Sequence, residues 1–218
     1  VLVATTAAAL IQRCPPLSVM AQASFAAAVG EDISPEALTR YLAVNGYSKA
    51  ATVREPGDFA VRGGVIDIFP PGAEEPVRLD LFGDTLEALR SFDPATQRST
   101  GALKQLSLAP VSEVLLDEAA ASRFRQGYLA AFGAPQGDPL YEAVSARARR
   151  QGMEHWLALF YPSLDTVLDY AGAGALIALD AQAMEAARDR LAMAADYYEA
   201  RTSAPPAIST QANRCGCA

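Results

Sequence analysis

One histidine, one tryptophan and three cysteines in 218 residues leave little material for several kinds of chemistry. The single imidazole, His155, sits in Met153-Glu154-His155-Trp156 among core-type residues, away from any Ser, Cys or Lys arranged as a nucleophile with a base. It is expected to be a packed, hydrogen-bonded side chain. Cys14 stands far from Cys215 and Cys217, and an odd count makes no closed disulfide framework. The thiols suit a reducing compartment, so the cytoplasm is expected. Cys215-Gly216-Cys217 lacks the further ligands a metal site would need.

A phosphate-cradling G-x-x-x-x-G-K-S/T loop is also absent, because neither Gly63-Gly64 nor Gly172-Ala173-Gly174 is followed by the lysine. Asp180, closing the apolar run Ala175–Leu179, reads as a helix cap and not as a magnesium ligand. No catalytic, metal-binding or nucleotide-binding residue is expected, and the segment is read as non-enzymatic with no cofactor of its own. The opening VLVATTAAALIQRCPP is too short and too interrupted by Thr, Gln and Arg to span a bilayer, and no basic stretch precedes it as in a signal peptide. Without an initiator methionine, the chain is expected to be a piece of a longer protein. Its formal charge of −7 argues against a broad electropositive surface for gripping nucleic-acid phosphates.

What is present is ample apolar material, 51% of the residues, enough for one large core or two small ones. Val1–Ala4 reads as a short buried strand, followed by a helix over about Thr6–Gln12 that Pro15 and Pro16 end. Ser34-Pro35-Glu36 starts a helix with Ser as N-cap and Pro at the first position, and Asn45-Gly46 stops it. A first strand is expected around Thr52-Val53-Arg54. After Pro110 the pattern becomes helical: Glu118 to Phe132, ended by Gly133, and then a helix from Asp138-Pro139 running into Arg147, Arg149 and Arg150. That basic cluster is expected to complement the dipole of its own helix. Ala175–Asp180 followed by an Ala-rich helix from about Ala181 to Ala200 reads as a strand–helix unit of a parallel sheet. The tail from Ser203 has no periodicity and is expected to be disordered.

Asp58 to Gln97 is the most informative stretch. In Val77–Phe82, alternation directs Val77, Leu79 and Leu81 to one face, the core, and Arg78, Asp80 and Phe82 to the other. Gly63-Gly64 marks a bulge or a close backbone approach within the extended run Phe59–Phe69, and Gly83-Asp84 a tight hairpin. Four consecutive strands with short turns imply a mainly antiparallel sheet with one face free for a partner. Asp67, Asp80, Asp84, Glu87 and Asp93 alternate with Arg62, Arg78 and Arg90, which favours cross-strand ion pairs over acid–base catalysis.

This stretch resembles the module shared by the bacterial transcription-repair coupling factor (Mfd) and UvrB families. The resemblance rests on Val61-Arg62-Gly63, Ile66-Asp67-Ile68-Phe69-Pro70, Arg78-Leu79-Asp80-Leu81-Phe82 and Phe92-Asp93-Pro94-Ala95-Thr96-Gln97-Arg98, in that order. Gly152-Met153-Glu154-His155-Trp156 downstream is similar to the coupling factors more than to UvrB, and the likeness extends from about Leu2 to about Arg201. It implies an α/β fold: an incomplete RecA-like domain over residues 1–30 and 113–202, interrupted by a mainly antiparallel UvrA-binding module at 31–112, with a tail at 203–218. It further implies that Arg62, Arg78 and Phe82 contact UvrA, one UvrB-family arginine being replaced here by Ala60. The parent protein would be an ATP-dependent DNA translocase that uses ATP and magnesium elsewhere and meets RNA polymerase and DNA through other regions. The alternative reading is a UvrB-like helicase segment that itself binds nucleotide or DNA.

Overall fold

The computed structural model describes residues 2–202. They fall into two compact units, one of residues 14–165 and one built from residues 2–13 and 166–202. The expected boundaries at 30 and 112 lie inside the larger unit. There the strand Phe25–Ala28 pairs antiparallel with Gln105–Leu108, Phe25 opposite Leu108 and Ala28 opposite Gln105. Nothing in the run Phe-Ala-Ala-Ala announces a strand; its partner across the chain makes it one.

The centre of the larger unit is a six-stranded sheet in the order Ser48–Lys49, Asp58–Arg62, Val65–Ile68, Val77–Phe82, Thr85–Phe92 and Ser99–Leu103. The short first strand is parallel to its neighbour, and every other pairing is antiparallel. Thr52–Arg54, expected as the first strand, is instead a loop that tucks in the fully buried Val53. Gly63-Gly64 does not interrupt one extended run but reverses it. Gly63 has φ +60° and Gly83 φ +61°, so both two-residue hairpins place glycine first, where L side chains are strained. The close approach expected there is real: a Cβ on Gly64 would lie 2.5 Å from the Leu81 carbonyl oxygen. Asp80 opposes Ala88 and Leu81 opposes Leu86, leaving Glu87 as the extra residue of a bulge. The bulge lets both Leu86 and Leu89 reach the core, at 0% and 2% exposure.

On the inner face Phe59, Ile66, Ile68, Val77, Leu79, Leu86 and Leu89 pack with Leu38 and Leu42 of the helix Pro35–Val44, and Ala27, Leu106 and Leu108 close the core. Burying each such large side chain stabilises the fold by about 1.5–3 kcal/mol. The helix begins as its sequence indicates, Ser34 Oγ accepting from the Ala37 N–H at 3.2 Å with Pro35 at the first position. A second core belongs to the helices Glu118–Phe132, Pro139–Ser145 and Leu157–Phe160, where the Phe124 and Phe160 rings stack at 4.9 Å.

Arg147, Arg149 and Arg150 correct the sequence reading. Their helix stops at Ser145 with no basic residue in its last turn, and Arg149 reaches the C-terminus of a different helix, Pro35–Val44. His155 is exposed on the 3-10 turn Met153–Trp156, not packed.

The second unit holds the helices Ala7–Ile11, capped by Thr6, Val167–Ala171 with a Thr166/Asp169 capping box, and Ala183–Thr202. The strands expected at Val1–Ala4 and Ala175–Asp180 do not form among the described residues. Leu2 is 97% and Leu176 102% exposed, and neither segment joins a sheet. An apolar run becomes a buried strand only where neighbouring strands take up its N–H and C=O groups, and among the described residues neither of these two runs has such a neighbour. Asp180 does act just ahead of the long helix, accepting from the Gln182 N–H at 2.9 Å. The tail from Ser203, with Cys215 and Cys217, lies outside the described residues.

Candidate partner-binding face

The outer face of the six-stranded sheet divides in two. One half is covered where Val53, Ala60, Phe69 and Phe92 form a small third core beneath the flanking loops. The other half is open, and Arg62, Arg78 and Phe82 lie along it, as alternation within their strands requires. The structure therefore brings the three expected residues to one face, in three different electrostatic states.

Phe82 ends its strand beside the Gly83-Asp84 turn and is 76% exposed. Its ring is a large apolar surface with no shelter, the kind of anchor that interfaces bury. Arg62, at the end of its own strand, is exposed. Its guanidinium donates to the Ala51 carbonyl and lies 3.4 Å from the Thr52 hydroxyl. Among the described residues it forms no salt bridge, so its charge is left uncompensated at the surface.

Arg78 is different. Directly across the ladder stands Asp67, 2% exposed, and the two make a bidentate pair, Nε to Oδ1 at 2.7 Å and Nη2 to Oδ2 at 2.9 Å. The guanidinium carbon also lies 4.7 Å from the centroid of the Phe92 ring. The hydrogen bond to Asp67, together with the Asp67 and Asp80 charges, outweighs burial and raises the Arg78 pKa above the ordinary arginine value. Its side chain is 21% exposed, so part of it remains accessible at the surface.

Two further features were only partly legible in the sequence. Arg90, directly opposite Arg78, turns to Asp80 to form a second, more exposed pair. The cross-strand ion pairs expected from the alternation of Asp and Arg are thus formed by Asp67 and Asp80. Asp93 does not join them; its Oδ1 accepts from the Ala95 and Thr96 N–H groups of its own turn, which hold its pKa below the usual carboxylate range. The Arg78–Phe92 stacking had no sequence signal, because the residues come together only through strand register. Ala60 is 2% exposed against Phe69 and Phe92, so a long side chain there would have to displace that small core.

Among the described residues no cluster of three or more His, Cys, Asp or Glu side chains could hold a metal ion. No helix among them is long and apolar enough to cross a membrane.

Residues 25–114, which contain the whole of this sheet, match the family model of the UvrB interaction domain. The class of module is thereby defined, and its larger context follows from full-length relatives. The transcription-repair-coupling factor of Myxococcus xanthus is 44% identical over 110 residues, 50% of this chain and 9% of that protein. Those of Escherichia coli (strain K12) and Rickettsia bellii are 34% and 31% identical over 171 and 204 residues, covering 77% and 93% of this chain but 15% and 18% of the relatives. Over its UvrB-like region the chain is thus similar to transcription-repair-coupling factors, and it spans less than a fifth of the length of these relatives.

Proposed function

We propose that this chain is the UvrA-recruiting adaptor segment of a transcription-repair coupling factor, acting in transcription-coupled nucleotide excision repair in the cytoplasm. The segment binds a protein and catalyses nothing itself. The parent is an ATP-dependent DNA translocase that displaces stalled RNA polymerase, with ATP, magnesium, polymerase and DNA engaged by its other regions. Residues 1–30 and 113–202 are the parts of a RecA-like domain into which the adaptor module at 31–112 is inserted. The observation that carries the reading is Phe82, an aromatic ring 76% exposed on the same open sheet face as the uncompensated Arg62, within the UvrB interaction domain. An apolar anchor flanked by guanidinium groups suits an acidic protein surface with a pocket for a ring.

Titration calorimetry of UvrA against the chain tests this. Phe82→Ala is expected to weaken binding by about 2 kcal/mol or more, the loss typical of an interface hot spot. Arg62→Glu is expected to abolish it with the fold intact. Affinity unchanged in both variants would sink the assignment.

A further inference from the structure

The Asp67–Arg78 pair has a geometry that a surface salt bridge does not need. Asp67 is 2% exposed, and both of its oxygens are used by Arg78. A guanidinium has five N–H donors, and the pair occupies two of them, on one edge of the fork. Phe92, itself fully buried, places its ring centroid 4.7 Å from the guanidinium carbon. The two-point edge contact stops the guanidinium from swinging, and the ring packs beside it, so the remaining donors are held in one direction. Arg78 also stands directly opposite Arg90, a like charge, while Arg90 is drawn off by Asp80. Without the Asp67 charge the two guanidinium groups would repel, and both would compete for Asp80.

We infer that Asp67 is a positioning residue for partner binding: a buried carboxylate that touches no partner but sets the direction in which Arg78 presents its free N–H donors. The inference rests on the recruitment reading above and deepens it. Fixing a flexible arginine before the encounter lowers the ordering cost of the complex, and the fork then fits a carboxylate or backbone carbonyl of the partner. The partner atoms facing Arg78 are therefore acceptors, met by an arginine already oriented.

The test is a double-mutant cycle in the full chain, with UvrA affinity measured for wild type, Asp67→Asn, Arg78→Ala and the double variant, and melting curves recorded for each. Asp67→Asn is expected to weaken binding about tenfold, and to have no further effect once Arg78 is alanine. Binding unchanged by Asp67→Asn would overturn the inference. So would an Asp67→Asn loss of the same size in the Arg78→Ala background, since the carboxylate would then act through the fold. Should Asp67→Asn or Arg78→Ala fail to fold, Arg78→Lys decides: it keeps the charge but loses the fork, so a loss of about tenfold or more supports the inference and affinity near wild type overturns it. In the free chain the Arg78 Nε–H resonance is expected to exchange slowly with water and to lose that protection in Asp67→Asn; fast exchange in the wild type would contradict a fixed fork. Phe82→Ala and Arg62→Glu separate the two claims, because affinity unchanged in both defeats the recruitment site while the coupling between Asp67 and Arg78 is still read from the cycle.

Discussion

Arg149 closes the last turn of a helix that ends 105 residues before it, its guanidinium donating to the carbonyl of Val44 and, at 2.9 Å, to that of Val114. A helix end leaves carbonyls without intrahelical partners, and a cation there is favoured by the helix dipole. Burial lowers the Arg149 pKa from its ordinary value, but not the role of the group: the fork supplies donors to two chain segments at once. Arg149→Ala is therefore expected to cost about 1.5–3 kcal/mol, the range for hydrogen bonds to charged groups. Arg149→Lys should restore only part of it, since an ammonium does not reproduce the fork. Urea unfolding of the three proteins checks this, and equal midpoints for wild type and Arg149→Ala would contradict it.

Gly46 and Gly30 have nearly the same backbone, φ +93° and +95°, yet different surroundings. A Cβ on Gly46 would lie 2.5 Å from the Ser112 Cβ, whereas one on Gly30 would meet nothing within 4 Å. Gly30→Ala should cost only the left-handed backbone penalty of about 1–2 kcal/mol. Gly46→Ala should cost that plus about 1–3 kcal/mol of overpacking, because the Ser112 backbone is tied to the Asn45 carbonyl and cannot easily retreat. Thermal melts of the two variants measure the difference directly.

Charge reversal separates the two arginines of the candidate face. Arg62→Glu alters an exposed side chain whose contacts are with Ala51 and Thr52, and the fold should survive it. Arg78→Glu places a carboxylate against buried Asp67 and removes its partner. Breaking a buried pair costs about 3–5 kcal/mol, enough to unfold a marginal domain. Of the two reversals only Arg62→Glu is therefore expected to spare the fold, and circular dichroism at 25 °C should show Arg78→Glu unfolded or melting far earlier.

Asp138 predicts a pH effect. Burial alone would raise its pKa, but the Tyr141 and Leu140 N–H groups, the Tyr128 hydroxyl and the Arg150 charge together hold it below the ordinary value. A carboxyl depressed in the folded state adds stability that is complete above the unfolded value of about 3.9 and is lost as pH falls through the folded one. Asp138→Asn keeps a capping oxygen without the charge. Its urea midpoint should fall less steeply than that of the wild type as pH drops below about 4, and parallel curves would refute the assignment.

How much of this was readable beforehand depended on whether the cause was local. Ser34, Thr6, Asp117 and Asp138 all cap helices through neighbours within three residues, and those helices start where their sequences indicate. The inward row Val77, Leu79 and Leu81 follows from a strand period of two. The failures have non-local causes. Phe25–Ala28 is a strand because of residues 105–108, and Ala175–Asp180 is not one because no strand among the described residues lies beside it. Arg149 was assigned to the wrong helix because its acceptors are 105 and 35 residues away.

The same division runs through the candidate face. Sequence alone determined that Arg62, Arg78 and Phe82 stand on the outer side of a two-faced sheet, since alternation along a strand is a property of the backbone. Tertiary structure decided what each can do there. Strand register set Asp67 against Arg78 and Phe92 beneath it, while among the described residues it left Arg62 without a salt bridge and Phe82 exposed. Periodicity is written into neighbouring residues, but pairing and burial depend on which distant segments arrive beside them.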